Sequence, residues 1–276
     1  MLSTTDHDRD VVDLTYVYPV VSRRAGGVSL GVNISPNNAC NWQCVYCQVP
    51  DLTKGVSPRA NIVQLKQELD GFLQQVLFGD FMETQVPEGC RELKDIAISG
   101  NGEPTTCPNF KAVVETIVAL MRQYDLSIPL RLITNGSSVH KEGVQQGLKL
   151  MASCQGEVWF KVDAVGAERT QKLNGVTVLP EWQTKQLKVV SKLCAVKLQT
   201  CVLDMFCSDE GYVQDYLAWL QDVLQQDIPL EGVLMYSLAR PSMQQGGDKL
   251  QPARLVCMQD FAEKIESLGL SVTVSA

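Results

Sequence analysis

The 276-residue sequence has only two histidines, His7 and His140, no long run of uncharged apolar residues, and no surplus of basic side chains. Each shortage excludes something. Neither histidine has a metal-ligand partner nearby, so no histidine-built metal centre is expected, and His140 reads as a cap or surface residue. Without about eighteen consecutive apolar residues there is no candidate membrane-spanning helix. The opening residues are polar and acidic and carry no apolar segment of a secretory signal, so a soluble cytoplasmic protein is expected. The formal net charge of −7, from 24 Lys and Arg against 31 Asp and Glu, argues against a broad nucleic-acid surface, because phosphate binding draws on clustered cations. A tRNA partner is therefore disfavoured.

What is present fits a globular enzyme. A hydrophobic fraction of 45% and a charged fraction of 20% are ordinary for a folded domain. The length suits one domain, read here as residues 21–276 behind a polar arm over residues 1–20. Of ten cysteines, three are clustered and seven scattered, a distribution that suggests reduced thiols and not a disulfide framework. Past the arm, short apolar runs alternate with longer stretches of helical spacing. Strands are expected over 28–34, 95–99, 130–134, 157–163, 196–203 and 232–238, and helices over 62–78, 110–124, 140–152, 180–193, 212–224 and 252–268. A last short strand is expected over 271–274, a longer loop over 79–91, and a lid over 240–247. Six strand–helix units predict a parallel α/β sheet in the form of a partial (β/α)6 barrel, with its chemistry at the carboxyl ends of the strands.

The densest chemical signal is the run Cys40-Asn41-Trp42-Gln43-Cys44-Val45-Tyr46-Cys47. Iron–sulfur clusters that only transfer electrons are normally held by four thiolates, so three cysteines at C-x-x-x-C-x-x-C spacing imply an iron open to another ligand. Zinc with a distant fourth ligand, or structural thiols, are the alternatives. Further along stand Gly100-Asn101-Gly102-Glu103-Pro104, Thr134-Asn135-Gly136 and Lys161-Val162-Asp163, each closing an expected strand. An Asn-Gly pair is also a good turn, and a Gly-x-Gly-Glu run is often one. Lys161 and Asp163 share a face by strand period, and a buried pair of this kind is costly unless used or satisfied. Either a site role or a salt bridge would meet that requirement.

The cysteine spacing resembles that of the radical S-adenosylmethionine (radical SAM) superfamily, and Gly100 to Pro104 resembles its glycine–glutamate motif with Asn101 as a departure. The segment Ser22-Arg23-Arg24-Ala25-Gly26-Gly27-Val28-Ser29-Leu30-Gly31 resembles the opening of small radical SAM proteins grouped with wyosine-type tRNA synthetases. Two features depart from that group: no cysteine precedes Cys40 to form a second cluster, and the acidic balance lacks a tRNA surface.

The resemblance implies a [4Fe-4S] cluster on Cys40, Cys44 and Cys47 that cleaves S-adenosyl-L-methionine to a 5′-deoxyadenosyl radical. That radical would take hydrogen from a small-molecule or nucleoside substrate, or from tRNA or a peptide. A one-electron donor such as flavodoxin or ferredoxin is implied as a partner. Tyr46, Gly102, Glu103, Pro104, Asn135 and Asp163 become candidate cofactor contacts. Arg23, Arg24 and Arg240 become candidate grips for an anionic substrate, and Lys161 and Cys201 candidate catalytic groups, Cys201 as a hydrogen-atom donor. A second cluster on Cys194, Cys201 and Cys207 is a weaker reading, because their spacing is not compact.

Overall fold

A computed structural model describes Leu2 and residues 13–22, 26–207 and 209–275. Eight strands form one sheet: β1 (Val17–Ser22), β2 (Gly27–Val32), β3 (Leu93–Ile98), β4 (Leu130–Thr134), β5 (Glu157–Lys161), β6 (Ala195–Cys201), β7 (Val233–Tyr236) and β8 (Val272–Ser275). They follow one another across the sheet in sequence order, and every neighbouring pair except β1 with β2 is parallel. Helices Ile62–Leu77, Phe110–Gln123, Glu142–Ala152, Pro180–Ser191, Glu210–Gln225 and Leu255–Glu266 return the chain after β2 to β7. This is the partial (β/α)6 barrel that the alternation predicts.

The strands alternate by side-chain period, and that alternation makes the lumen polar. Leu30 and Val32, Ile96 and Ile98, Leu130 and Leu132, Val158 and Phe160, and Val196 and Leu198 belong to the buried apolar core. The helices answer them with apolar stripes such as Leu65, Leu69, Phe72, Leu73 and Val76. The residues between, including Ser29, Asp95, Trp159, Lys161 and Gln199, line an internal cavity.

Three corrections to the sequence reading follow. The sheet starts at Val17, inside the stretch read as a polar arm, because β1 pairs antiparallel with β2 from Val17↔Val32 to Ser22↔Gly27. Pro19 masks this strand in the sequence but is tolerated at a sheet edge. The stretch 79–91 contains a short helix, Phe81–Gln85. A helix at Ala167–Asn174 precedes the expected one at Pro180–Ser191 and closes on Gly175 in the left-handed region at φ 67°. His140 lies on the surface, in a turn before the helix that starts at Glu142.

Candidate active site

The carboxyl ends of the strands surround a cavity of about 330 Å³, within the usual range of small-molecule sites. Cys40, Cys44 and Cys47 all line it. They sit on a loop pinned at its base by a small parallel ladder, Ala39↔Thr53 and Cys40↔Lys54. The carboxyl end of the helix Ala167–Asn174 holds the loop on one side: the Asn174 and Leu173 carbonyls accept from the Gln43 and Val45 amides, both at 2.9 Å. The expected lid holds it on another. The Ser242 hydroxyl donates to the Val45 carbonyl at 2.6 Å, the Met243 amide to the Cys47 carbonyl at 2.9 Å, and the Gln244 carboxamide to the Val49 carbonyl at 2.8 Å. The 240–247 stretch is therefore a strap tied to the cysteine loop.

The glycine–glutamate loop packs against the same cysteines. At Gly102 a Cβ would stand 2.1 Å from the Ala39 carbonyl oxygen, so only glycine allows the two backbones this approach. Glu103 is 3% exposed, and its carboxylate is already occupied. One oxygen accepts from the Thr105 amide at 3.0 Å and from the Thr105 and Thr134 hydroxyls at 2.5 Å; the other accepts from the Asn135 amide at 2.7 Å. Burial raises its pKa despite these four donors, which act in the opposite direction. Glu103 thus joins the end of β3 to the end of β4. Asn135 is engaged too, donating to Asn41 of the cysteine loop at 3.0 Å and accepting from the Ser137 amide at 3.0 Å. Substituting Gly102→Ala should force these loops apart, at about 1–3 kcal/mol for an overpacked contact. A lower denaturant midpoint together with reduced iron loading checks this.

Asp163, 1% exposed, is the second hub. Its carboxylate accepts from the Tyr46 hydroxyl, from the Asn174 carboxamide at 2.8 Å and from the Cys201 amide at 3.0 Å, and it pairs with Lys161 at 3.4 Å. The Asn174 carboxamide also lies 3.2 Å from the Cys44 sulfur. Lys161 stands 3.3 Å from the Tyr236 hydroxyl and over the Tyr46 ring at 5.2 Å. Burial opposes the charge on Lys161, but Asp163 and the neighbouring tyrosine and thiols outweigh it and hold its pKa well above the ordinary value. The expected salt bridge therefore exists, and Lys161 lines the cavity.

Deeper in the lumen a charge network closes the barrel. Arg131 pairs with Asp95 and, at 3.1 Å, with Glu157; Lys197 also pairs with Glu157, and Ser29 donates to Asp95. Burial alone would raise the Glu157 carboxyl, yet Lys197, Trp159 and Arg131 hold it below the ordinary value of 4.5. A lowered folded-state pKa contributes stability that is present above the unfolded value and lost as pH falls through the folded one. Arg131→Met should cost about 3 kcal/mol, because it takes the paired cation from the buried Asp95. It should also flatten the stability loss below pH 4.5, measured by chemical denaturation across pH.

The donor set fits the implied iron–sulfur group. Burial pushes the Cys40 thiol up to about 12 and the Cys44 thiol up to about 11, so the protein alone does not favour thiolates here, and a metal would. No histidine and no fourth cysteine lines the cavity among the described residues, so a closed zinc site of four cysteines, or of cysteines with histidine, is not formed there. Among the described residues no three metal-ligating side chains converge to hold a single ion. Beside the loop, the Asn101 side-chain oxygen is buried with no hydrogen-bond partner among the described residues. Asn101 lines the cavity, where such an acceptor suits an ammonium group.

Solved structures decide the fold. A radical SAM methyltransferase from Sphaerobacter thermophilus covers 90% of this chain and 66% of its own, at TM-score 0.57 and 12% identity. TYW1 with a lysine-pyruvate adduct covers 88% and 74% at TM-score 0.57 and 13% identity. SuiB of Streptococcus suis, bound to S-adenosylmethionine, covers 91% and 47% at TM-score 0.55 and 12% identity. This is a radical SAM fold. No protein-family model matches the chain. Among curated proteins, a UPF0026 protein of Methanocaldococcus jannaschii is 29% identical over 157 residues, 56% of this chain and 42% of that one. A UPF0026 protein of Synechocystis is 25% identical over 223 residues, 78% and 74% of the two chains. A protein named GTPase Obg from Brachyspira hyodysenteriae is 28% identical over 130 residues, 47% of this chain and 17% of that protein. The chain spans less than half the length of the first of these and of the last. It carries no G-x-x-x-x-G-K-[ST] phosphate loop.

Within the radical SAM fold most of the expected residues gather at the cavity: the three cysteines, Tyr46, Gly102, Glu103, Asn135, Lys161 and Arg240 all line it. Pro104 and Asp163 lie behind that wall, Pro104 opening a short 3-10 turn capped by Glu103. Cys201 is fully buried and is not among the residues that line the cavity. Arg23 and Arg24 fall outside the described residues. The second cluster does not assemble. Cys194 lies at the start of β6, donating to the Gly156 carbonyl, Cys201 ends that strand, and Cys207 sits beside Cys257. Sequence reasoning missed Asn174 and Gln199. Only the latter left a signal, a polar residue on the lumen-facing period of a strand.

Proposed function

We propose that the chain is a radical SAM enzyme, with Cys40, Cys44 and Cys47 holding a [4Fe-4S] cluster and S-adenosyl-L-methionine lying against it in the cavity. The observation that carries this reading is the set of three thiols, with no fourth cysteine and no histidine among the described residues, lining the strand-end cavity of a radical SAM fold. When bound, the cluster would supply one electron to the sulfonium and so a 5′-deoxyadenosyl radical. The chain's own residues do the rest. Asn101 offers the amino group of the methionine moiety an acceptor. Gly102 keeps the backbone wall flat, and Glu103 fixes that wall by tying two strand ends together. Tyr46 and Asn174, both bonded to Asp163, hold the cysteine loop in register over the lumen. The strap from Arg240 to Gly247 shields the loop from solvent. A substrate would sit in the lumen below, with a flavodoxin- or ferredoxin-type protein as electron donor.

The test is spectroscopic. Adding S-adenosyl-L-methionine to the anaerobically reconstituted, reduced protein should change the electron paramagnetic resonance spectrum of the cluster. An unchanged spectrum at saturating cofactor contradicts the reading.

A further inference from the structure

Beneath the cysteine loop, level with Lys161, the lumen wall carries a glutamine. Gln199, in the middle of β6, is only 2% exposed and lines the cavity. Its carboxamide has no hydrogen-bond partner among the described residues, while its backbone carbonyl takes the Val162 amide at 3.0 Å. The carboxamide opens to the cavity with no protein partner among the described residues, so an occupant of the lumen can complete its bonds.

Its neighbours define the occupant. In the sheet register Gln199 lies beside Lys161 on one side and Leu234 on the other. The charge beside it is satisfied, since Lys161 pairs with Asp163, and deeper in the lumen Arg131 is committed to Asp95 and Glu157. An anion placed here would find Lys161 already committed to Asp163. Trp159 and Tyr236 contribute flat aromatic walls to the same cavity. A glutamine side chain offers a donor and an acceptor side by side, the pattern that recognises another amide edge.

We propose that Gln199 is the specificity determinant of the lumen, and that it selects a neutral, planar substrate presenting an amide edge, either a primary carboxamide or a ring lactam. This rests on the radical SAM reading for the role of the lumen as substrate site, and it replaces the expectation of an anionic substrate. The carboxamide pairs in the plane of the ligand edge, while the aromatic walls hold its faces.

The test uses the full chain, reconstituted with cluster and S-adenosyl-L-methionine, and parallel samples without either. Nicotinamide carries the primary carboxamide, 2-pyridone the lactam, and nicotinate is the anionic isostere. Saturation-transfer NMR and calorimetry should give saturable binding of nicotinamide or 2-pyridone, and whichever binds identifies the edge. Nicotinate should bind at least tenfold more weakly. Gln199→Leu, and Gln199→Met as a second variant, should weaken the bound probe at least tenfold, with no loss of melting temperature. Absence of binding by both neutral probes, equal binding of nicotinate, or unchanged affinity in both variants would overturn the proposal. If the wild type fails to cleave the cofactor while the probe results hold, the radical reading fails and the Gln199 site stands.

Discussion

Replacing Asp163 with alanine should destabilise the protein by about 3–5 kcal/mol, the cost of stranding a buried charge. The side chain accepts from Tyr46, Asn174 and the Cys201 amide and pairs with Lys161, so its loss leaves three donors and one cation without their acceptor. The effect should reach the cysteine loop, because Asn174 is held between Asp163 and Cys44. Asp163→Asn keeps the volume but not the charge. Adding Lys161→Met to it should recover part of the loss, since a buried pair replaced as a unit is far cheaper than a broken one. Denaturant midpoints of the two single variants and the double variant check this. Additive losses in the double variant would mean that Lys161 is not held by Asp163.

Single substitutions Cys40→Ala, Cys44→Ala and Cys47→Ala should each abolish stable cluster binding, taking iron after reconstitution from about four per chain to near zero. The reason is the small donor set. With three thiols and no histidine or further cysteine lining the cavity among the described residues, no substitute ligand stands ready. Cys107→Ala is the matched control, because Cys107 is buried against the Pro58 carbonyl away from the lining. Equal iron loss in the control would point to general unfolding and not to ligand removal.

The fold was legible because its signal is repeated: six apolar runs each followed by a stretch of helical spacing leave few topologies other than a parallel sheet with covering helices. The edge strand β1 escaped because Pro19 interrupts a short apolar run, and pairing with β2 rescues it only in three dimensions. The site was legible in position but not in role. Glu103 and Asp163 invite assignment as ligand contacts, since an isolated buried carboxylate needs a use. The use they have is internal, as each is occupied by donors from segments far away in sequence, such as Asn135 on Glu103 and Tyr46 on Asp163. Asn174 lies 130 residues from the cysteine it approaches, and no local pattern marks such a contact. Gln199 could have been found from the alternation of β6, where Lys197, Gln199 and Cys201 share the face opposite Val196 and Leu198.

The central claim is that the three-cysteine cavity performs reductive cleavage of S-adenosyl-L-methionine. The most direct test is anaerobic: reconstitute the protein with iron and sulfide, reduce it, add S-adenosyl-L-methionine, and quantify 5′-deoxyadenosine beside the variant carrying Cys40→Ala, Cys44→Ala and Cys47→Ala. The account predicts time-dependent 5′-deoxyadenosine from the wild type and none from the triple variant. Equal product from both, or no product from a wild type that carries its full iron, would contradict it.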